Sequence, residues 1–256
     1  MQNKDLLKNV KVVFFDFDGV LADTSLDIVD AVNAMLIKYN RHPLSPEEIL
    51  RYVGNGAKVL IQKVLSVSTI KDETDSTTNT SNEVSSNHYS TENFEEIYQG
   101  YLQYYYNNCV NKTKLYSGIL VFLELLNIYK IQMGIISNKP LAITNEILEK
   151  MNIKQFFDIV VGPELVSKPK PSSQGIIYAL EKINNIRKEK EQEIILPEQV
   201  LMIGDSEQDI IAGSNANVLT CAVTAGYGDK TKLLAAKPDF EVHLASELLV
   251  TFQSFL

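Results

Sequence analysis

Two aspartates, Asp16 and Asp18, close the apolar run Val12-Val13-Phe14-Phe15 and are followed by Gly19 and Val20. Carboxylates at i and i+2 of an extended chain share one side, and at a frayed strand end they can converge on one small volume. Charges held that close need a divalent cation, a lysine or a shared proton to coexist. The arrangement suits a nucleophile that forms an acyl phosphate, beside a general acid/base, with a hard metal between protein and phosphate. Asp and Gly are also ordinary turn residues after a strand, so the pair by itself leaves both readings open.

Three further segments offer matching groups. Ser137 and Asn138 end the run Ile135-Ile136 before Lys139-Pro140. The hydroxyl could donate to a phosphoryl oxygen, with helix N-terminal amides assisting, or serve as a routine N-cap. Lys168 and Lys170 stand in a proline-stiffened stretch, Ser167-Lys168-Pro169-Lys170-Pro171. A rigid loop can hold an ammonium against clustered carboxylates and a phosphate, although a solvated basic loop has the same composition. Asp205 and Asp209 follow Leu201-Met202-Ile203-Gly204, four apart around a helix start, where acids also act as plain caps. Two strand ends that both supply carboxylates make a Mg²⁺ site the economical account, because oxygen donors without His or Cys favour Mg²⁺ over zinc.

Other chemistries fail on spacing. Asp16-Phe17-Asp18-Gly19 is no EF-hand loop, since the glycine comes too early and position twelve is Asp27. Gly54-Asn55-Gly56-Ala57-Lys58 does not match a P-loop, and no GxSxG elbow occurs. His42, His88 and His243 receive no role. The 256 residues carry 24 basic and 32 acidic side chains, a net charge of -8, with no basic stripe, so nucleic acid is not an expected partner. Cys109 and Cys221 match no CxxC pattern and read as buried thiols. No signal-peptide region and no bilayer-spanning run stand out, so the chain reads as a soluble, cytoplasmic protein without a membrane partner.

The elements that must position these groups alternate. Periodicity predicts helices over Asp27–Tyr39, with Thr24 or Ser25 as caps, from Ser45-Pro46, from Gly56 or Ala57 to Leu65, and over Phe94–Tyr106. The recurring Tyr98, Tyr101, Tyr104 and Tyr105 of the last helix read as packing. Between Ser66 and Asn93 the chain turns polar and aperiodic, and about 68–92 reads as a disordered insertion. Helices over 118–129, 140–151, 172–188, 207–216 and 246–253 then alternate with strands at Gln132–Ile136, Ile159–Val161, Val200–Ile203 and Thr220–Val223. This is the pattern of βαβ units on a parallel sheet, an α/β fold. Ligands of such sheets bind beyond the carboxyl ends of strands, where Asp16, Ser137 and Asp205 would meet.

Taken in order, Asp16-Phe17-Asp18-Gly19-Val20, Ser137-Asn138-Lys139, Lys170-Pro171 and Gly204-Asp205-Ser206 with Asp209 resemble the four motifs of the haloacid dehalogenase superfamily. The resemblance implies a Rossmann-like core, residues 1–23 and 110–256, with a helical cap of the C1 type inserted at 24–109. It implies that Asp16 is the nucleophile, that Asp18 protonates the leaving oxygen and then activates water, and that Ser137 and Asn138 bind the phosphoryl group. Asp16, the Asp18 carbonyl and Asp205 would hold Mg²⁺, and Asp209 would order its waters. Lys168 gives the family's Lys-Pro-x-Pro pattern, whereas Lys170 gives the better register with the following helix and is taken as the site lysine. Ser117-Gly118 departs from the usual proline-glycine. Tyr52–Leu60, Ser137–Pro140 and Thr224–Gly228 are similar to phosphoglycolate phosphatases. That likeness implies hydrolysis of a small phosphorylated metabolite, 2-phosphoglycolate, by a monomer or homodimer. Arg51, Asn55 and Lys58 are the cap candidates for the substrate's carboxylate. A pyrophosphatase, a sugar-phosphate phosphatase or a non-catalytic binding protein are the alternatives.

Overall fold

The apolar run at the head of the chain forms β1 (Val12–Phe15), with all four side chains buried, as a strand covered on both faces requires. The computed structural model describes residues 4–70 and 91–255. Residues 71–90 of the expected insertion, His88 among them, lie outside the described residues. After β1 come the two-residue strand β2 (Ala22–Asp23) and four helices, α1 (Ser25–Lys38), α2 (Pro46–Leu50), α3 (Ala57–Val67) and α4 (Thr91–Asn108). The short β3 (Lys114–Leu115) returns antiparallel to β2, pairing Ala22 with Leu115.

The remaining chain alternates α5 (Ile119–Ile128), β4 (Gln132–Ile136), α6 (Leu141–Lys150), β5 (Ile159–Val161), α7 (Gln174–Glu189) and β6 (Val200–Gly204). It ends with α8 (Glu207–Asn215), β7 (Leu219–Val223), α9 (Lys230–Ala235), β8 (Phe240–Val242) and α10 (Leu248–Gln253). Six strands form one parallel sheet in the order β5-β4-β1-β6-β7-β8. The strand order reverses at β1, and the crevice at such a switch point is where open α/β sheets place their sites. Val12 and Phe14 face the side covered by Ile176, Ala179 and Ile183 of α7. Val13 and Phe15 face Phe122, Ile147 and Phe252 on the other, with Phe15 packed edge-on to Phe122 and Phe157. Burying each such side chain contributes about 1.5–3 kcal/mol.

The inserted helices form the expected helical cap, with Ile28, Val32 and Leu36 of α1, Ile61 and Val64 of α3, and Tyr101 and Tyr105 of α4 buried together. Helix α2 starts with the capping box read from Ser45 and Glu48. Several boundaries differ from the sequence reading by one to three residues. Helix α1 begins two residues early, and Thr24 occupies its N-cap position without a side-chain cap bond, because its hydroxyl donates to Asp18 instead. Helix α4 starts at Thr91 rather than Phe94. Ser68, placed in the polar insertion, is buried, and its carbonyl and hydroxyl accept from the buried Arg41 guanidinium. Asp27 ties the linkers together, accepting from the Thr113 amide and hydroxyl at 2.8 and 2.7 Å.

Candidate active site

The carboxyl ends of β4, β1 and β6 lie side by side, so Ser137, Asp16 and Asp205 emerge along one edge. Backbone pairing carries past the strands: the Asp16 amide donates to the Ile203 carbonyl at 2.8 Å and the Ser137 amide to the Val161 carbonyl at 3.0 Å. The chain then turns tightly, with the amides of Val20, Leu21 and Ala22 all directed at the Phe17 carbonyl. Gly19 sits in this turn at φ 79°, and a Cβ there would lie 2.3 Å from Asp205 Oδ2. Glycine is therefore required twice over, by backbone conformation and by the approach of a carboxylate.

Asp16, Asp205 and Asp209 are all buried, and each offers one carboxylate oxygen within 4.8 Å of the others. Asp205 is oriented by the amides of Tyr227 and Gly228, which donate to its Oδ2 at 2.6 and 3.3 Å. Asp209 takes the Ser206 amide and hydroxyl on Oδ2 at 3.0 and 2.7 Å, a capping-box arrangement, and the Lys170 ammonium on Oδ1 at 2.5 Å. The same ammonium lies 3.0 Å from Asp16 Oδ1, an atom without a hydrogen-bond partner. Burial raises the Asp205 carboxyl well above the ordinary carboxylate range, and the neighbouring Asp209 and Asp16 add to it. Burial also raises Asp209, with Lys170 pulling the other way. For Lys170 burial opposes the charge, but Asp16 and Asp209 outweigh it and the ammonium is held above its usual range. The donor set is hard and anionic, and Asp16 Oδ1 has only the ion pair with Lys170 and no hydrogen bond, so the set fits a divalent cation bound by oxygen.

Of the two candidate lysines, Lys170 is buried in this cluster, whereas Lys168 is exposed. Asp18 points to the other side. It accepts from the Thr24 hydroxyl at 2.6 Å and from Lys139 Nζ at 3.0 and 3.2 Å. Lys139 also bonds the Tyr105 hydroxyl and stands 4.4 Å from the centre of that ring. The side chain of Asn138, expected on the phosphoryl group, is engaged elsewhere. Its Oδ1 accepts from the Lys170 amide, and its Nδ2 donates to the carbonyls of Lys170 and Gly54 and to Gln208 Oε1, each at 3.0 Å.

A cavity of about 30 Å³ remains between Asp16, Asp18, Ser137, Lys139, Gly56 and Tyr105, room for a water or two. The cap candidates stand apart from it. Arg51 is exposed and its Nε donates to the Glu47 carbonyl at 3.4 Å. Lys58 is exposed, paired with Glu95 at 3.3 Å, and borders an adjoining hollow of about 370 Å³ with Asn55 and Tyr98, which shares Gly56, Ala57, Asn138 and Pro140 with the cavity. Asn55 accepts from Gln208 Nε2. Sequence reasoning took Thr24 as a helix cap and Tyr105 as packing and gave no individual role to Lys139 or Tyr227, yet all four touch the acids or their linkers. Lys139 stood within a motif already singled out. Tyr101 and Tyr105, assigned to packing, are buried but also line the cavity. Tyr227 donates its hydroxyl to Asp23 and receives the Thr24 amide, both at 2.7 Å.

Comparison with known proteins places these features in a family. The model described as haloacid dehalogenase-like hydrolase matches residues 13–223. A phosphoglycolate phosphatase from Colwellia psychrerythraea is 29% identical over 247 residues, 96% of this chain and 99% of that protein. One from Psychrobacter arcticus is 30% identical over 217 residues, 85% of this chain and 84% of that protein. Among solved structures, a predicted phosphoglycolate phosphatase from Haemophilus somnus superposes with a TM-score of 0.80 at 23% identity, covering 96% of this chain and 99% of that one. CbbY from Rhodobacter sphaeroides, solved in complex with phosphate, gives 0.74 at 16% identity, covering 95% of this chain and 99% of that one.

Proposed function

The chain belongs to the haloacid dehalogenase-like hydrolase family and is a phosphoric monoester hydrolase. On that premise we propose that it hydrolyses 2-phosphoglycolate with Mg²⁺, through a phosphorylated Asp16, in a core of residues 1–23 and 110–256 closed by a cap of 24–109. The observation that carries this reading is Asp16 itself, buried beside Lys170 and sharing a 4.8 Å cluster with two further carboxylates. The phosphoglycolate phosphatases related over most of the chain support the choice of substrate.

In this reading a carboxylate oxygen of Asp16 attacks phosphorus, and the bond to the glycolate oxygen breaks. Asp18 delivers a proton to that leaving oxygen, then takes one from the water that attacks the phosphoenzyme, so that the Asp16–phosphorus linkage breaks and phosphate departs. Ser137 donates to the phosphoryl oxygens. Lys170 holds Asp16 and offsets phosphoryl charge, and Asp209 fixes that lysine from the far side. Mg²⁺, held by Asp16, Asp205 and the Asp18 carbonyl, would supply neutralisation of the charge on the transferring group. The small size of the cavity, about 30 Å³, supports a cap that parts to admit substrate and reseats to exclude bulk water.

The test is a phosphomonoester panel with and without Mg²⁺, together with Asp16→Asn. Preferred, Mg²⁺-dependent turnover of 2-phosphoglycolate that vanishes in Asp16→Asn is the expected result. Equal turnover of sugar phosphates, or of pyrophosphate, would remove the substrate assignment. Full activity in Asp16→Asn would remove the covalent route.

A further inference from the structure

The phosphoglycolate reading, on which this inference rests, demands two cationic subsites, one for the phosphoryl group and one for the carboxylate. Lys170 is committed to the phosphoryl side by its contacts with Asp16 and Asp209. The cap candidates serve the other side less well: Arg51 is exposed and turned back on its own helix, and Lys58 is exposed, paired with Glu95, and lines the adjoining hollow rather than the cavity itself. Among the described residues, Lys139 is the one basic side chain lining the cavity with Asp16 and Asp18. Its side chain is only 3% exposed. It is aimed by the Tyr105 hydroxyl and stands over that ring, so the ammonium is already desolvated and oriented, which removes much of the cost of binding an anion.

Its present partner is Asp18, at 3.0 and 3.2 Å. Asp18 keeps a second donor, the Thr24 hydroxyl at 2.6 Å, so drawing the ammonium away does not strand its charge. The backbone amide of Lys139 also donates to Ser137 Oγ at 3.3 Å. Lys139 and the expected phosphoryl-binding hydroxyl of Ser137 thus line one small cavity, as recognition of a short substrate requires. We propose that Lys139, held by Tyr105, receives the second anionic group of the substrate, and that the site therefore selects phosphomonoesters of short hydroxy acids over neutral-tailed ones.

The experiment compares kcat/KM for 2-phosphoglycolate and for ethyl phosphate, which has the same two-carbon chain without the carboxylate. The measured quantity is the ratio of the two, in wild type, Lys139→Met, Tyr105→Phe, Arg51→Met and Lys58→Met, with melting curves for each. The ratio is expected to fall about 10- to 100-fold in Lys139→Met, the loss of one charge-assisted hydrogen bond. Tyr105→Phe, which removes only the bond that aims the ammonium, is expected to lower it about 3- to 10-fold and carries the test if Lys139→Met does not fold. A wild-type preference that survives in both variants would overturn the inference and leave the phosphoglycolate reading standing. Collapse of the ratio in Lys58→Met or Arg51→Met, with Lys139→Met unaffected, would do the same by returning recognition to the cap. A wild type without preference would overturn both.

Discussion

Replacing Lys170 with methionine removes a charge while keeping the length of the side chain. The ammonium lies 3.0 Å from Asp16 and 2.5 Å from Asp209, with both partners buried. A unit pair at 3 Å is worth about 5 kcal/mol at an effective dielectric of ~20, and breaking one side of a buried pair typically costs about 3–5 kcal/mol once solvation is counted. For a chain of this size that corresponds to a fall in melting temperature of about 6–20 °C without metal. The same deletion makes the acid cluster more negative, so a divalent cation should bind it at least as well. A cation at 100 times its Kd restores about 2.7 kcal/mol. Melting of wild type and Lys170→Met by scanning fluorimetry, in EDTA and then in saturating Mg²⁺, should show a larger metal-induced rise in the variant, although the variant is inactive. A metal-free melting temperature within about 2 °C of wild type, or a Mg²⁺ increment no larger than wild type's, would refute the view that the lysine stands in for a cation among these acids.

Asp18→Asn can still accept from Thr24 and Lys139 on Oδ1, loses the Lys139 bond to the other oxygen and cannot exchange a proton, so steady-state turnover should drop about 10²- to 10⁴-fold; stopped assays across a substrate range would expose a smaller effect. Tyr227→Phe leaves the backbone amide on Asp205 but removes the two linker bonds at 2.7 Å. Hydrogen exchange of the Thr24 amide should accelerate while metal affinity, read by Mg²⁺ titration of thermal stability, stays put. Burial drives the Cys221 thiol well above its ordinary range, and Asp239 and Glu241 add to this. Because the folded value is the higher one, the unfolded chain loses its proton first as pH rises, so stability is intact below about pH 8.5 and declines above it. Melting curves from pH 8 to 11 should show that decline. Both thiols should resist Ellman's reagent until guanidinium is added, and rapid labelling of the folded protein would contradict their burial.

Much of this was legible in the chain because local rules and tertiary needs agreed. A fully apolar strand followed by two acids, a Ser-Pro-Glu-Glu helix start and proline-flanked lysines each carry a short-range signal that the fold respects. The choice between Lys168 and Lys170 also followed helix register, and the exposed and buried positions found for them match it. What escaped was set by distant partners. Strands β2 and β3 are two residues each and exist only through pairing across about ninety residues. Helix α9 is six residues long, too short for periodicity, although Asp229 caps it by accepting from Thr231 and Lys232. Spacing put Tyr101 and Tyr105 on one helical face, but whether that face meets a core or a catalytic acid depends on how the cap seats.

One amide is shared between the seated cap and the core. Asn138 Nδ2 has two hydrogens, yet three acceptors lie 3.0 Å away: the Gly54 carbonyl of the cap, the Lys170 carbonyl and Gln208 Oε1. Two N–H groups cannot satisfy three acceptors fully, so at least one bond is shared. When the cap lifts, Gly54 leaves and the remaining two acceptors can take one hydrogen each, so the Asn138 amide is not orphaned, whereas Lys139 Nζ gives up the Tyr105 hydroxyl and Gln208 Nε2 gives up Asn55. The amide that fixes the backbone of Lys170 through its Oδ1 therefore keeps that lysine in place whether the cap is open or closed. The cost of opening falls on the Gly54 carbonyl, on the bond between Gln208 and Asn55 and on the bond between Lys139 and Tyr105; each of these groups can be hydrated once exposed. In the proposed reading, a cap held this way would exchange between seated and lifted states while Asp16, Lys170 and the acid cluster stay assembled and Lys139 alone among the site's charges loses its aiming bond, as an enzyme must if it opens once per turnover without rebuilding its site.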